Sequence, residues 1–344
     1  MIDPHVHLRD EEQRHKETLQ HGLSVAGRLG ISGVFDMPNT SPPILRRKDV
    51  LRRLKLAKET DSDVFYGLYC GLSANPEQIR EATDCVREFA SVVGLKLFAG
   101  RSTGELAVID EAEQKRVFRT LAENAYTGVL AVHAESESFF SPASWDPAHP
   151  ITHTLARPPV AELHAISLLL KMAEESGFGG TLHICHITLP ESVNMLENAR
   201  EKASFRISCG VTPHHLLLND LMMEESEGLL LKMNPPLRDP QEQAGLLSLL
   251  FEGRINWIET DHAPHLRKEK MEAPYASGIP GFPVLPYLIE LLRKNGAGEA
   301  FIRRITHDNI EEVFGIKLPY REILPVELSG EYEVNAYRNL RGKI

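Results

Sequence analysis

At 344 residues, 42% hydrophobic and 25% charged, the chain has the apolar content to bury one large domain and the charge of an ordinary soluble protein. Its formal net charge is −10, and its Lys and Arg residues are spread through helix-like segments instead of forming a stripe, which excludes a nucleic-acid footprint and favours a small-molecule partner. No window is apolar for long enough to span a bilayer and the start lacks a basic-then-apolar leader, so no membrane association and a cytoplasmic location are expected.

Eight short apolar, β-rich runs recur along the chain, over residues 2–8, 33–37, 64–70, 92–98, 128–132, 181–187, 204–209 and 254–259. Between them, stretches such as 12–28, 48–59, 76–89, 112–124, 161–175 and 190–202 carry apolar residues at spacings of three and four, the mark of amphipathic helices. Strands alternating with helices read as parallel strands joined by crossovers, and eight such units predict an α/β fold of the TIM-type (β/α)8 barrel class. The barrel is expected over residues 1–316, with 317–344 as an appendage packed against it. The longest irregular segments, 137–159 and 266–281, follow predicted strands, where a barrel carries its site loops. Cys70, Cys85, Cys185 and Cys209 form no Cys-x-x-Cys pair and lie mostly in apolar runs, which predicts reduced, buried thiols.

The polar residues of these runs gather at one place. The first run ends in His5, His7 and Arg9, the second in Asn39; the fourth carries Lys96; the fifth ends in His133, the sixth in His186, the seventh in His214 and His215, and the eighth in Asp261 and His265. These are C-terminal strand ends, the face on which barrels build their sites. His5, His7 and Arg9 are two residues apart, so on a strand they share a face, and two imidazoles there can hold one metal ion. A single His-x-His pair is more often structural; the other strand ends reverse that judgement. His133 and His186 offer nitrogens to a second ion, as Zn²⁺ prefers. His183, of opposite parity to His186 and deeper in its run, is expected to be a buried, hydrogen-bonded side chain. Asp261 can bind metal and move protons. Lys96, flanked by Leu95 and Leu97, is costly to bury as an ammonium. Its neutral amine could take up carbon dioxide and become a carbamate that bridges two cations, while its bland alternative is a snorkelling side chain.

The set Asp-Pro-His-Val-His-Leu-Arg, Asp-Met-Pro-Asn-Thr, Gly-Leu-Lys-Leu-Phe, His-Ala-Glu, His-Ile-Thr, Thr-Pro-His-His-Leu-Leu-Leu, Asn-Pro-Pro-Leu-Arg and Thr-Asp-His-Ala-Pro-His, in this order, resembles the dihydroorotases of the amidohydrolase superfamily, from residue 2 to about 316. The resemblance implies two zinc ions: His5, His7 and Asp261 on one, His133 and His186 on the other, carbamylated Lys96 and a hydroxide bridging them. It implies that Arg9, Asn39 and His265 hold a substrate carboxylate, that Asn234 contacts the pyrimidine ring and that the Gly281 region offers it backbone groups; a turn before two prolines and a loop hinge are equal alternatives for those last two. Many relatives carry a β-sandwich built partly from residues ahead of the first strand, which is expected here to be absent or reduced.

The activity so implied is the reversible cyclisation of N-carbamoyl-L-aspartate to L-dihydroorotate in pyrimidine biosynthesis, with Asp261 as general acid and base. The neighbouring readings are a hydantoinase or allantoinase-type cyclic amidase, which Ala156 to Glu162 also resembles, and a non-catalytic dihydroorotase-like scaffold that assembles with an enzyme such as aspartate transcarbamoylase. A homo-oligomer is left open. Arg9 separates the first from dihydroorotase, since a hydantoin without a carboxylate would leave the guanidinium unpaired.

Overall fold

The computed structural model describes residues 1–340 apart from 103, 105, 329, 338 and 339. Each apolar run contains a strand: β1 (Ile2–Val6), β2 (Gly33–Asp36), β3 (Phe65–Gly71), β4 (Val92–Phe98), β5 (Val129–His133), β6 (Thr181–Ile184), β7 (Arg206–Val211) and β8 (Trp257–Ile258). Neighbours in sequence are neighbours in the sheet, all parallel. Helices α1 (Leu19–Arg28), α2 (Arg47–Glu59), α3 (Pro76–Glu88) and α4 (Glu111–Glu123) follow the first four strands; α5 (Thr152–Ala156) and α6 (Pro159–Ser176) follow β5, α7 (Pro190–Arg200) follows β6, and α8 (Pro213–Leu217) and α9 (Pro240–Phe251) follow β7. After β8 come α10 (Arg267–Met271), α11 (Leu285–Lys294), α12 (Glu299–Arg303) and α13 (Asn309–Phe314). This is the (β/α)8 barrel expected from the alternation.

Strand β8 is shorter than its apolar run because side chains take over the seam. Asp3 accepts hydrogen bonds from the Thr260 N–H (3.1 Å) and hydroxyl (2.5 Å), and the His7 N–H donates to the His262 carbonyl at 2.7 Å beside a Val6–His262 bridge. The barrel interior is filled below the site by Ile2, Phe35, Tyr69, Val93, Ala131 and Trp257. Phe314 of α13 packs edge-on against Phe35 at 4.9 Å between ring centres, closing the floor. A second layer, containing Val6, Leu8, Leu68, Leu95 and Leu130, faces the helices.

The helix expected over 12–28 is broken. A 3-10 turn (Glu11–Gln13) precedes α1, because the Asp10 carboxylate accepts from both the Glu11 and Leu19 N–H groups (2.7 and 2.9 Å), and Thr18 caps α1 by accepting from the His21 N–H. The segment expected to be irregular over 137–159 holds two 3-10 turns and α5, and 266–281 holds α10. All four cysteines are free and buried. Among the described residues, 317–340 contains no strand; it is tied down by the Leu324 N–H to the Leu29 carbonyl (2.9 Å) and the Tyr332 hydroxyl to Glu17 (3.0 Å). No helix of the described residues is long and apolar enough to cross a membrane.

Candidate active site

Register and backbone geometry bring the ligand candidates together. The β1 register shifts between Asp3 and Val6. Ile2 therefore packs inside the barrel while Val6 and Leu8 pack outward, and His5 and His7 turn to the interior. At the end of β6 the chain turns at His186, and after β8 it turns at Asp261; both have positive φ, 37° and 48°. Such conformations strain residues other than glycine and persist where the surroundings impose them.

His7 Nε2 lies 2.9 Å and His5 Nε2 3.4 Å from the same oxygen, Asp261 Oδ1. On the other side His133 Nδ1 faces His186 Nε2 at 3.3 Å. The rings of His5 and His186 stand 5.2 Å apart and join the two groups into one row of imidazoles. Lys96, fully buried, donates from Nζ to Cys185 Sγ at 3.1 Å. Burial pushes His7 down to about 4 and lowers His186 well below its ordinary range, so both rings are neutral and offer lone pairs. Burial also works against ionised Asp261, but His7 and His5 hold the carboxyl below its ordinary value. Burial opposes a thiolate at Cys185 as well, yet Lys96, His5 and His183 bring that thiol down to about 5.

Four imidazoles, a carboxylate and a lysine, with ring nitrogens converging in pairs, form a donor set suited to zinc, whose nitrogen ligands sit about 2.0–2.1 Å from the ion. His5, His7 and Asp261 make one cluster of ligand atoms within 4.8 Å of one another; His5, Cys185 and His186 make another. His183, bonded to Ser208 at 3.1 Å and Glu259 at 3.0 Å, joins the row from below through a third cluster with Cys185 and Glu259.

Of the residues expected to bind substrate, Arg9, Asn39 and Asn234 meet at one cleft. This small cleft is lined by His7, Arg9, Asn39, Asn234, Asp261 and Gly278. Arg9 Nη2 is 3.3 Å from His265 Nε2, which puts both groups at one wall. Asn39 has a positioning role as well, since its side-chain oxygen accepts from His7 Nδ1 at 2.7 Å. Asn234 accepts at its side-chain oxygen from His153 at 2.9 Å, which ties it to the 137–159 segment. In the Gly281 region, Gly281 itself packs against the barrel seam. Its N–H donates to His262 Nδ1 at 3.1 Å, and a side chain there would collide with the Thr260 carbonyl at 2.6 Å; Gly278 occupies the cleft wall instead.

Several residues escaped sequence reasoning. Glu135 accepts from His133 Nε2 at 2.8 Å and pairs with Arg157, whose guanidinium stacks on Phe140 at 4.2 Å. Arg53, fully buried on α2, donates to the Leu8 and Arg9 carbonyls at 2.7 Å each and to Asp36 at 2.9 Å. Glu259 touches four residues around the ligand row. His-Ala-Glu was a signal for Glu135; Arg53 had no local signal.

No protein-family model matches the chain. Among solved structures, an L-hydantoinase from Arthrobacter aurescens superposes with a TM-score of 0.79 at 22% identity, over 91% of this chain and 70% of that one. A dihydroorotase from Campylobacter jejuni superposes with a TM-score of 0.70 at 20% identity, over 94% and 85%. These likenesses establish the fold. The histidine row stands at the C-terminal strand ends of that fold, and the relatives in sequence define its class, the cyclic amide hydrolases. In sequence, a dihydroorotase of Methanosarcina mazei is 32% identical over 354 aligned positions, covering 99% of this chain and 75% of that protein, and one of Thermococcus kodakarensis is 36% identical over 322, covering 92% and 68%. The chain belongs to the dihydroorotase family.

Proposed function

We propose that the chain interconverts N-carbamoyl-L-aspartate and L-dihydroorotate, with His5, His7, His133, His186, Asp261 and carbamylated Lys96 as ligands to two zinc ions. Family membership supports the reaction, and the donor set supports the metal. Two cations held there would acidify water to near neutrality and polarise the ring amide carbonyl. Carbamylation adds carbon dioxide to the amine of Lys96 once its ammonium proton has left, forms an N–C bond and releases a further proton from nitrogen, leaving an anion among buried imidazoles.

The chain's own groups perform the rest. Arg9 offers a planar, two-pronged donor to the substrate carboxylate, with His265 at its side. Asn39 keeps the His7 ring oriented through Nδ1, leaving Nε2 beside Asp261. As water adds to the carbonyl carbon, Asp261 accepts its proton and delivers it to the ureido nitrogen whose bond to that carbon breaks. In the reverse direction the same carboxylate takes the proton from the nitrogen as the ring closes.

The observation that carries this reading over a hydantoinase is Arg9 on the strand end that also bears His5 and His7, beside His265 and on the cleft wall. Rates on dihydroorotate, allantoin and hydantoin test it: dihydroorotate should dominate, and Arg9→Met should abolish that preference. Asp261→Asn should retain most of its zinc and lose nearly all turnover. Equal rates on hydantoin, or an active Asp261→Asn enzyme, would defeat the proposal.

A further inference from the structure

Glu259, at the C-terminal end of β8, is completely buried and lies beneath the ligand row, although its carboxylate is outside the proposed donor set. Oε1 accepts from the His186 backbone N–H at 2.6 Å and faces His5 Nδ1 at 3.6 Å, an electrostatic contact longer than a hydrogen bond. Oε2 accepts from His183 Nε2 at 3.0 Å and from the Trp257 indole at 2.9 Å. Both oxygens are thus engaged by protein donors, which suits a group that holds other residues and leaves little of it for a cation.

We propose that Glu259 is the positioning residue of the metal centre, and that glycine at position 210 is what lets it reach there. The inference rests on reading the histidine row as a zinc site. The carboxylate 3.6 Å from His5 Nδ1 favours the proton on that nitrogen by its charge and leaves Nε2, 3.4 Å from Asp261, as the nitrogen with a lone pair. Its bond to the His186 N–H holds the chain where His186 takes a φ of 37°, the turn that swings Nε2 to within 3.3 Å of His133. One carboxylate therefore orients one ligand from each half of the row.

Gly210 supplies the space. It pairs with Trp257 across β7 and β8, and a Cβ built on it would stand 2.4 Å from Glu259 Cδ and 2.5 and 2.7 Å from its oxygens. Its φ lies outside the left-handed region, so room and not backbone freedom requires glycine here. A distance of 2.4 Å is also close to that between Cβ and Cδ within one glutamate. A glutamate at 210 could accordingly place its carboxylate where Glu259 now holds it, provided 259 is vacated.

The test is a zinc titration of metal-depleted full-length protein against a chelator of known affinity, with kcat and KM measured beside it. Glu259→Gln should weaken zinc binding about 10- to 100-fold, the usual effect of losing an outer carboxylate, and lower kcat far more than it changes KM for dihydroorotate. Gly210→Ala should shift both in the same direction, since its methyl displaces the carboxylate. The double variant Gly210→Glu/Glu259→Gly should recover part of the loss, which a general packing defect would not allow; it also serves if Glu259→Gln fails to fold. Wild-type zinc affinity in folded Glu259→Gln, or no recovery in a folded double variant, would overturn the inference alone. A third zinc equivalent present in wild type and lost with Glu259→Gln would make Glu259 a ligand and overturn it too. Wild-type protein that takes up no zinc would instead bring down the metal-centre reading on which it stands.

Discussion

His133 Nδ1 and His186 Nε2 face each other at 3.3 Å while the far nitrogen of His133 is held by Glu135 at 2.8 Å. The carboxylate accepts a hydrogen bond from the Nε2–H and so leaves Nδ1 as the nitrogen with a free lone pair. Burial opposes charge on both partners, but Arg157 and His133 keep Glu135 well below the usual carboxylate range. Glu135→Gln should therefore keep the fold and weaken zinc retention about 10- to 100-fold. Dialysis against a weak chelator followed by metal analysis reads this; unchanged retention would leave Glu135 as a partner of Arg157 alone.

Arg53 makes the strand end that carries His7 and Arg9 rigid. Its guanidinium joins the Leu8 and Arg9 carbonyls to Asp36, and Asp36 also accepts from the Tyr66 hydroxyl at 2.6 Å and the Leu8 N–H at 2.9 Å. Arg53→Met would leave Asp36 buried without its cation. The expected loss is about 3–5 kcal/mol of stability, the cost of breaking a buried pair from one side. Denaturant unfolding measures it, and a loss under about 1 kcal/mol, the range of exposed pairs, would show the network to be dispensable.

The barrel was legible because its strands are buried on both faces and read as apolar runs, and because polar residues at their ends have few other reasons to be there. Lys96 stood out between leucines for the same reason. Glu259 and Arg53 did not stand out, since their significance lies in partners 73 and 44 residues away in sequence, His186 and Arg9, that only folding brings near. Around Gly281 the motif neighbourhood reaches the cleft through Gly278, while the Gly281 N–H is taken by His262, a division that spacing alone does not record. The break before α1 was hidden because Asp10 caps two segments at once, which no periodicity records.

Zinc uptake should depend on pH through His5. Burial and Lys96 both disfavour a charge on this ring, but the Cys185 and Glu259 anions outweigh them and raise it to about 10. Below that pH the ring is protonated, whereas a zinc ligand must be neutral, so binding at pH 7 expels a proton. Affinity should rise about tenfold per pH unit between pH 6 and 9 for one linked proton. Calorimetry in buffers of different ionisation enthalpy gives the proton count directly. A count of zero at pH 7 would mean that His5 is already neutral before zinc arrives.

His214 is buried beside the site, and neither of its ring nitrogens has a hydrogen-bond partner among the described residues. Its neighbour His215, with ring centres 4.5 Å apart, is by contrast held by the Thr212 hydroxyl at 2.8 Å and the Pro235 carbonyl at 3.2 Å. Burial lowers His214 to about 4 in spite of the Asp261 carboxylate, so at working pH it is a neutral ring with one donor and one acceptor unspent. If its role were only to fill space, a leucine of similar size would serve better, because an unpaired buried polar group costs about 1–3 kcal/mol. His214→Leu should accordingly keep or raise the melting temperature while lowering kcat/KM about 10- to 100-fold, the worth of one hydrogen bond made to the reacting substrate. Retained stability with unchanged kcat/KM would reduce His214 to a core residue. Lost stability would mean that its nitrogens are already satisfied in the folded protein, through solvent within the barrel mouth.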